Sequence, residues 1–288
     1  MKKYYSPLKP YSRVPRPHIL FNAAFAVARL FVKPNVLLSE ALPDEPVIFM
    51  ANHAFDYGPR AMVFAGKRIK RKFRTWSSFN TLSIKRAPNQ MMKTTYPNVK
   101  KPWRYLARLS TYIVAPVLGL VFRAAGVIPV YRDMRIKTTY TKTFESLRTG
   151  YDVVIFPDSI IPDPENEFVD KTQKGAFKTF EMCRRFLGRA PKLYPVYCCK
   201  SLNTVSVGRP LTFDTEIPAS EAEVKLEAEF REEMKRLGQA LPPHKIIHAA
   251  SIPKDYDSVK KYLTYNEEKM YAELNRPKET EEAESAVK

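Results

Sequence analysis

Four short apolar runs, separated by stretches long enough for helices, constrain the fold of this chain most strongly. They are Val47–Ala51, Val127–Tyr131, Asp152–Pro157 and Lys192–Cys199. Strands that are apolar throughout are buried on both faces, which is typical of parallel sheets covered by helices. Strands that alternate with helices also require crossover connections. The sequence therefore predicts an α/β fold with a mostly parallel sheet flanked by helices.

Helices are predicted between and after these runs, at residues 59–66, 109–122, 137–148 and 175–187. Residues 109–122 carry no charge, but they contain Pro116 and Gly119. A proline inside a helix removes one backbone hydrogen bond and crowds the preceding turn. We therefore predict that this helix is interrupted near Pro116 and is either buried or half embedded in a membrane.

The N-terminal part, residues 1–40, differs in character from residues 41–215, for which we predict the α/β domain. Residues 18–33 predict an amphipathic helix about 24 Å long, which is shorter than the ~30 Å hydrocarbon core of a bilayer. Because basic residues and tyrosines precede it, this helix suits a membrane interface. A helix that covers the core of the domain is the alternative.

The C-terminal part begins at residue 216 and is predicted to be a helical extension as far as residue 275. Ser220 and Glu223 form a capping-box pattern, which predicts a helix that continues to about Leu237. A second helix is predicted over residues 258–274. Residues 276–288 are acidic and rich in small residues, and this composition predicts a disordered tail.

The charge of the chain is large and uneven. The formal net charge is +18, and residues 216–288 contain 16 acidic and 12 basic residues, so residues 1–215 carry about +22. A basic surface attracts anionic lipid, a phosphorylated substrate or nucleic acid. The bases after residue 66 are interleaved with Trp76, Tyr96, Trp103 and Tyr105, which suits a membrane interface or a nucleic-acid groove.

The cysteines and the apolar segments indicate the compartment. Cys183, Cys198 and Cys199 are odd in number and have no Cys-x-x-Cys spacing, so neither a disulfide framework nor a zinc site is predicted. No uncharged run reaches the ~20 residues that span a bilayer. We predict a peripheral or monotopic protein on the cytoplasmic face of a membrane.

Polar residues follow three of the predicted strands. His53 and Asp56 follow the first, Arg132 follows the second, and Asp158 and Ser159 follow the third. In parallel α/β sheets, ligand sites form at the carboxyl ends of the strands. A histidine with a carboxylate close by is a common general base. A base, a cation and a polar loop on one edge would suit acyl transfer to a phosphorylated alcohol.

Taken in order, these segments resemble the glycerolipid acyltransferase family, the 1-acylglycerol-3-phosphate acyltransferases and their relatives. The likeness covers about residues 20–215 and rests on four blocks and one downstream match. These are Asn52-His53 with Asp56; Pro116 and Gly119 with the Gly126–Arg132 segment; Phe156-Pro157-Asp158-Ser159-Ile160, similar to Phe-Pro-Glu-Gly-Thr, with Lys174-Gly175-Ala176-Phe177 downstream; and Tyr194-Pro195-Val196.

The resemblance implies direct acyl transfer from acyl-CoA or acyl carrier protein to a lysophospholipid such as 1-acylglycerol 3-phosphate. It assigns His53 as the general base and Asp56 as the carboxylate that orients it. It implies no metal or other cofactor, and an anionic membrane surface as the partner, with nucleic acid less favoured. The residues it assigns to substrate binding are Arg132, Asp158, Ser159, Lys174 and Gly175, with Lys171 as a further phosphate ligand.

Three features depart from the family pattern. The family separates its histidine and aspartate by four residues, whereas two residues separate His53 from Asp56, and the family spacing falls on Gly58. Asp158-Ser159 stands in place of Glu-Gly. The interval between His53 and Arg132 is longer, with residues 66–103 as a basic insertion. These departures indicate a divergent branch.

Other interpretations stay open at this point. The protein could be a non-catalytic basic peripheral protein that binds anionic lipid or nucleic acid, or an acyltransferase for a glycolipid or an acylated amino acid. His53 could be structural, Arg132 could pair with Asp133, and Asp158 could cap its loop. The acidic residues Asp163, Glu165, Glu167 and Asp170 predict a solvated loop, and His244 with His248 predicts no metal site.

Overall fold

The structure is a computed structural model. It describes residues 33–55, 57–83, 86–94, 99–131, 133–159, 163, 165–173 and 175–247. The predicted N-terminal helix, apart from its last residue, lies outside these ranges. So do the second C-terminal helix and the acidic tail.

The described residues form one seven-stranded sheet in the order β1-β7-β6-β2-β5-β3-β4. All neighbouring pairs are parallel except β6 and β7, which are antiparallel. The predicted α/β fold with a mostly parallel sheet is therefore confirmed. The strands are β1 Asn35–Leu38, β2 Ile48–Ala51, β3 Phe73–Ser78, β4 Ile128–Val130, β5 Asp152–Ile155, β6 Leu193–Cys199 and β7 Thr204–Val207.

The helices cover both faces of the sheet. They are α1 Tyr57–Arg68, α2 Phe79–Leu82, α3 Ala87–Thr94, α4 Lys101–Ala124, α5 Ile136–Arg148, α6 Lys178–Leu187 and α7 Ala219–Gln239. Successive side chains of a strand point to opposite faces. Ile48 and Met50 accordingly pack with α5, α6 and α7, whereas Phe49 and Ala51 pack with α1.

Two helix predictions are wrong. Helix α4 runs through Pro116 without a break, because one lost hydrogen bond does not end a helix of 24 residues with several turns on either side. The capping box at Ser220 does not form, because α7 already begins at Ala219 and its N-cap is Pro218, without a side-chain cap. The backbone N–H groups of Glu221 and Ala222 donate to the Pro218 carbonyl instead, both at 2.9 Å.

Part of the basic stretch after residue 66 is structural. Strand β3 lies inside it, and Arg71 anchors the neighbouring strand through two hydrogen bonds to Asp152, at 2.7 and 2.6 Å. Asp152 is buried and also accepts from the backbone N–H of Val47 at 2.9 Å. These contacts tie together the start of β5, the start of β2 and the chain before β3.

Candidate active site

The carboxyl ends of β2 and β5 bring His53 and Asp158 into contact. The two strands are neighbours in the sheet, so the loops that follow them meet at one edge. The ring Nδ1 of His53 hydrogen-bonds to Oδ1 of Asp158. The backbone N–H of His53 donates to Oδ2 of the same carboxylate at 2.7 Å. Both oxygens of Asp158 therefore hold a single residue, His53.

Exposure and tautomer give the two residues different roles. The side chain of Asp158 is 1% exposed, whereas that of His53 is 33% exposed. A carboxylate only accepts hydrogen bonds, so Nδ1 of a neutral His53 carries the proton and Nε2 carries the lone pair. The ring is thus supported from inside by a buried anion. A neutral imidazole held in this way can accept a proton from a hydroxyl, a thiol or water.

The pKa of His53 lies above its usual value of 6.5. Burial of the ring lowers this pKa, but the charge of Asp158, the hydrogen bond to it and the charge of Asp170 together raise it by more. The imidazolium form is therefore stabilised, which favours proton uptake by His53. Asp170 is itself buried, and it is a second carboxylate that acts on this histidine.

Rigid neighbours hold the end of β2 in place. The Asn52 side chain accepts from the backbone N–H of Cys198 at 2.6 Å and donates to its carbonyl at 3.2 Å, which ties β2 to β6. The ring of Phe156 lies against that of His53, with 4.8 Å between their centroids. His53 therefore has its backbone, its Nδ1 and one ring face positioned by buried groups.

The turn after His53 is tight and brings Gly58 against the end of β2. Ala54 and Phe55 have left-handed φ angles of 42° and 61°, and the backbone N–H of Gly58 donates to the His53 carbonyl at 2.7 Å. A Cβ atom at Gly58 would lie 2.3 Å from the Asn52 carbonyl oxygen. Position 58 therefore has no room for a carboxylate side chain.

We expect Gly58→Ala to lower the free energy of unfolding by about 2–3 kcal/mol, because its Cβ would force backbone atoms apart. The matched control is Gly188→Ala, where φ is 75° and nothing lies within 4 Å of the added Cβ. An alanine held at this left-handed φ angle costs about 1 kcal/mol of backbone strain. Urea unfolding of both variants measures the difference, and equal losses would contradict the steric explanation.

The loop that carries Asp158 is paired with residues 171–173. The backbone N–H of Ser159 donates to the Lys171 carbonyl at 2.7 Å, and that of Gln173 donates to the Pro157 carbonyl at 2.6 Å. The Gln173 side chain also donates to the Asp158 carbonyl at 3.0 Å. Ser159 is half-buried and Lys171 is exposed. The pairing therefore places the backbone of a basic residue beside the segment that contains Asp158 and its neighbour Ser159.

The predicted site residues are only partly brought together. Asp158 makes the contact with His53 that the sequence analysis assigned to Asp56. Gly175 is exposed, with a φ of 89°, just before α6. Asp56, Arg132 and Lys174 lie outside the described residues.

The suggested pairing partner of Arg132, Asp133, is engaged by another arginine. Its carboxylate accepts hydrogen bonds from the side chain of Arg135 at 2.6 and 2.9 Å and from the Arg135 backbone N–H at 2.9 Å. The hydrogen bonds from the Arg135 side chain are the largest effect that lowers the pKa of Asp133, which is about 2. Asp133 thus forms an ion pair with Arg135 within its own loop.

The prediction that the acidic loop is solvated is wrong for two of its four members. Asp163 is buried and forms an ion pair with Arg231 of α7, and Asp170 is buried near His53. Glu165 and Glu167 are exposed, as predicted. The role of Asp170 could not be predicted from the sequence, because only the pairing between residues 157–159 and 171–173 brings it to the site.

Sequence reasoning also missed Lys200. This residue follows β6, and its Nζ lies 5.7 Å from the centroid of the Phe55 ring, in the turn after His53. It therefore lies at the same sheet edge as the histidine. The signal was available, because Lys200 is the first charged residue after the fourth apolar run, and the strand-end argument applies to it equally.

His244 has a structural environment. Its Nε2 lies 2.8 Å from the Tyr197 hydroxyl, and its Nδ1 lies 2.8 Å from the Pro242 carbonyl oxygen. Within the described ranges there is no group of three or more histidine, cysteine or acidic side chains that could hold a metal ion. His244 therefore serves as a matched control for His53 in functional tests.

Comparison with protein-family models, with curated proteins and with solved structures gave no match to this chain. Among the helices in the described part of the chain, none combines the length and the apolar character needed to cross a bilayer.

Proposed function

We propose that this protein is an O-acyltransferase that moves a fatty acyl group from an acyl-CoA or acyl carrier protein thioester to a lysophospholipid such as 1-acylglycerol 3-phosphate. The observation that carries the proposal is the buried Asp158 carboxylate holding the partly exposed His53 ring at the carboxyl edge of the sheet. This is the arrangement of a general base. The resemblance of the surrounding segments to glycerolipid acyltransferases supplies the reaction class.

In the proposed reaction, Nε2 of His53 takes the proton of the acceptor hydroxyl as its oxygen attacks the thioester carbonyl. Asp158 stabilises the imidazolium that forms. The tetrahedral oxyanion, stabilised by a backbone amide or a cation, then collapses. The carbon–sulfur bond breaks, the new ester bond remains, and the departing thiolate takes the proton from the imidazolium. Because the hydroxyl attacks directly, no acyl-enzyme forms.

Cations at the same edge would bind the phosphate of the acceptor. Among the described residues, Lys171 is paired with the Asp158 loop, and Lys200, which follows β6, has its Nζ 5.7 Å from the centroid of the Phe55 ring in the turn after His53. The resemblance adds Arg132 and Lys174. A guanidinium suits the paired oxygens of a phosphate, and lysine acts on it as a point charge.

The test is release of free thiol and formation of ester when the purified protein is given acyl-CoA or acyl carrier protein thioester with 1-acylglycerol 3-phosphate. We expect transfer by the wild-type protein, loss of transfer in His53→Ala and retention in the matched variant His244→Ala. A glycolipid or an acylated amino acid as the better acceptor would keep the chemistry and change the substrate. Absence of transfer to every acceptor, or transfer that survives His53→Ala, would contradict the mechanism.

A non-catalytic role on an anionic surface is the second candidate. One observation favours it: residues 57–132 contain 16 basic residues and no acidic residue. Such a region binds polyanions whether or not a reaction follows. Salt-dependent binding to RNA or DNA without affinity for liposomes, together with no acyl transfer, would favour this candidate over the enzyme.

A further inference from the structure

Helix α4 exposes the apolar side of its surface. Thirteen large apolar side chains are exposed in the described part of the chain, and seven of them belong to this one helix. Soluble proteins rarely expose contiguous apolar surface of this kind without a partner. The seven residues, which together we name the α4 apolar face, are Trp103, Tyr105, Leu106, Leu109, Tyr112, Ile113 and Val117.

The helical spacing places these seven side chains on one half of the helix circumference. At 3.6 residues per turn, the opposite side carries Thr111 and Ala115, which are both buried. Ala115 packs with Ala87 and Met91 of α3. Thr111 and Ala115 thus face the protein, with Val114 partly buried beside the same cluster, whereas the seven exposed apolar side chains point outward. This is the reverse of the usual arrangement of a surface helix.

Three exposed basic residues lie in the first two turns of the same helix. Lys101 lies beside Tyr105 at the border of the α4 apolar face, and Arg104 and Arg108 lie on the side that carries Thr111 and Ala115 further along the helix. They belong to the stretch of 16 basic and no acidic residues. Tryptophan and tyrosine beside lysine and arginine are typical of side chains at a membrane–water interface. We infer that the α4 apolar face docks this protein on a bilayer that contains anionic phospholipid.

Charge decides against the other occupants. A second copy of this chain would bring two proteins of net charge +18 together, with basic residues in the first turns of both helices. Nucleic acid would pair with these basic residues, but it would leave most of the seven apolar side chains without a matching surface. An anionic bilayer supplies both an apolar interior and negative headgroups.

The position of α4 relates this surface to the candidate active site. Strands β3 and β4 are parallel, so the chain between them returns from the carboxyl edge of the sheet to the amino edge. Helix α4 ends shortly before β4, which puts its first turns, with Trp103 and Tyr105, toward the carboxyl edge. His53 lies at that edge. Resting on the proposed function, docking would present the site to a lipid acceptor held in the bilayer.

Co-sedimentation of the full-length protein with vesicles tests the inference. The vesicles contain phosphatidylcholine alone or mixed with phosphatidylglycerol. The test variant is Ile113→Glu and the matched control is Val224→Glu on α7, because these two aliphatic side chains are 70% and 68% exposed. We expect Ile113→Glu to bind mixed vesicles about tenfold more weakly or worse. The apolar contact that Ile113 makes with the bilayer would be lost, and glutamate would place a charge there. Val224→Glu should bind like the wild-type protein.

A fluorescent label separates the bilayer from other occupants. The described cysteines, which are the three of the sequence, are all buried, so an environment-sensitive fluorophore on Ile113→Cys reports on this face. We expect emission typical of water in buffer and a blue shift on addition of mixed vesicles. A blue shift already present in buffer would overturn the inference: if it depends on concentration, a second copy covers the face, and if it does not, another part of the chain does.

Separate readouts distinguish failure of docking from failure of the proposed function. His53→Ala should bind mixed vesicles like the wild-type protein, because His53 is not part of the α4 apolar face. Equal vesicle binding by Ile113→Glu and the wild-type protein would overturn docking, whatever the transfer assay gives. Absence of acyl transfer by the wild-type protein would overturn the function without affecting the binding result.

Discussion

Replacing Asp158 by asparagine is expected to lower the rate of acyl transfer by about 10²–10⁴-fold while the protein stays folded. The asparagine oxygen can still accept the backbone N–H of His53, which the Oδ2 atom accepts at 2.7 Å. The other position becomes an amide N–H₂ group, which donates and so faces Nδ1 as a donor. The ring is then held with its proton on Nε2, which is the nitrogen that must accept a proton from the substrate.

The pH dependence of transfer gives the same substitution a second readout. His53 acts as a base only when neutral, and its pKa lies above 6.5. Activity of the wild-type protein should therefore fall as the pH drops through a midpoint above 6.5. In Asp158→Asn the charge of Asp158 no longer raises the pKa of His53, whereas burial of the ring still lowers it. The midpoint should move to lower pH, as a pH–rate profile would measure.

Asp170→Asn is the matched control for Asp158→Asn. Both carboxylates are buried and both raise the pKa of His53, but the hydrogen bonds to the histidine come from Asp158. Asp170→Asn should therefore move the pH midpoint downward with a much smaller loss of maximal rate. Retention of wild-type activity by Asp158→Asn would show that Asp158 does not orient the base.

The sheet could be predicted from the sequence where the buried strands are also apolar. Strands β2 and β6 are apolar and buried at every residue, and β5 is apolar after the buried Asp152. Strand β3 was missed because Phe73–Ser78 is polar and lies within a basic stretch. Strands β1 and β7 were missed because neither appears as an apolar run. Most of β1 is exposed, and β7 alternates Thr204 and Ser206 with its valines.

The candidate site was predicted in part, for a similar reason. The rule that ligand sites form at strand ends identified His53 and Asp158 separately. Their contact joins residues 105 positions apart, and it depends on β2 and β5 being neighbours in the sheet. A local pattern therefore favoured Asp56, which is close in sequence. The steric requirement at Gly58 is equally invisible without the path of the turn after His53.

Phe230→Ala is expected to lower the free energy of unfolding by about 3–5 kcal/mol, which is the usual cost of removing a buried phenylalanine. Phe230 is fully buried on α7, and its ring lies 5.6 Å from that of Phe177 at the start of α6. It belongs to the same core cluster as Ile48 of β2 and Ile155 of β5. Removing it should therefore weaken the sheet and helix α7 together.

The measurement is chemical unfolding followed by circular dichroism, with Val224→Ala as the control on the exposed side of α7. That control should stay within about 0.5 kcal/mol of the wild-type protein. A single shifted transition for Phe230→Ala would agree with one shared core. A separate early transition, or a loss below about 1 kcal/mol, would contradict the shared core.

Helix α7 also links stability to the candidate site. The Thr172 hydroxyl donates to Glu227, and Arg231 forms an ion pair with Asp163, so two contacts of α7 hold the loop that contains Asp170. The same loop pairs with the residues around Asp158. Acyl transfer by Phe230→Ala should consequently be lost at a lower temperature than in the wild-type protein, together with the shared unfolding of α7 and the sheet. Activity that persisted after α7 had unfolded would show that the His53–Asp158 pair needs no support from this helix.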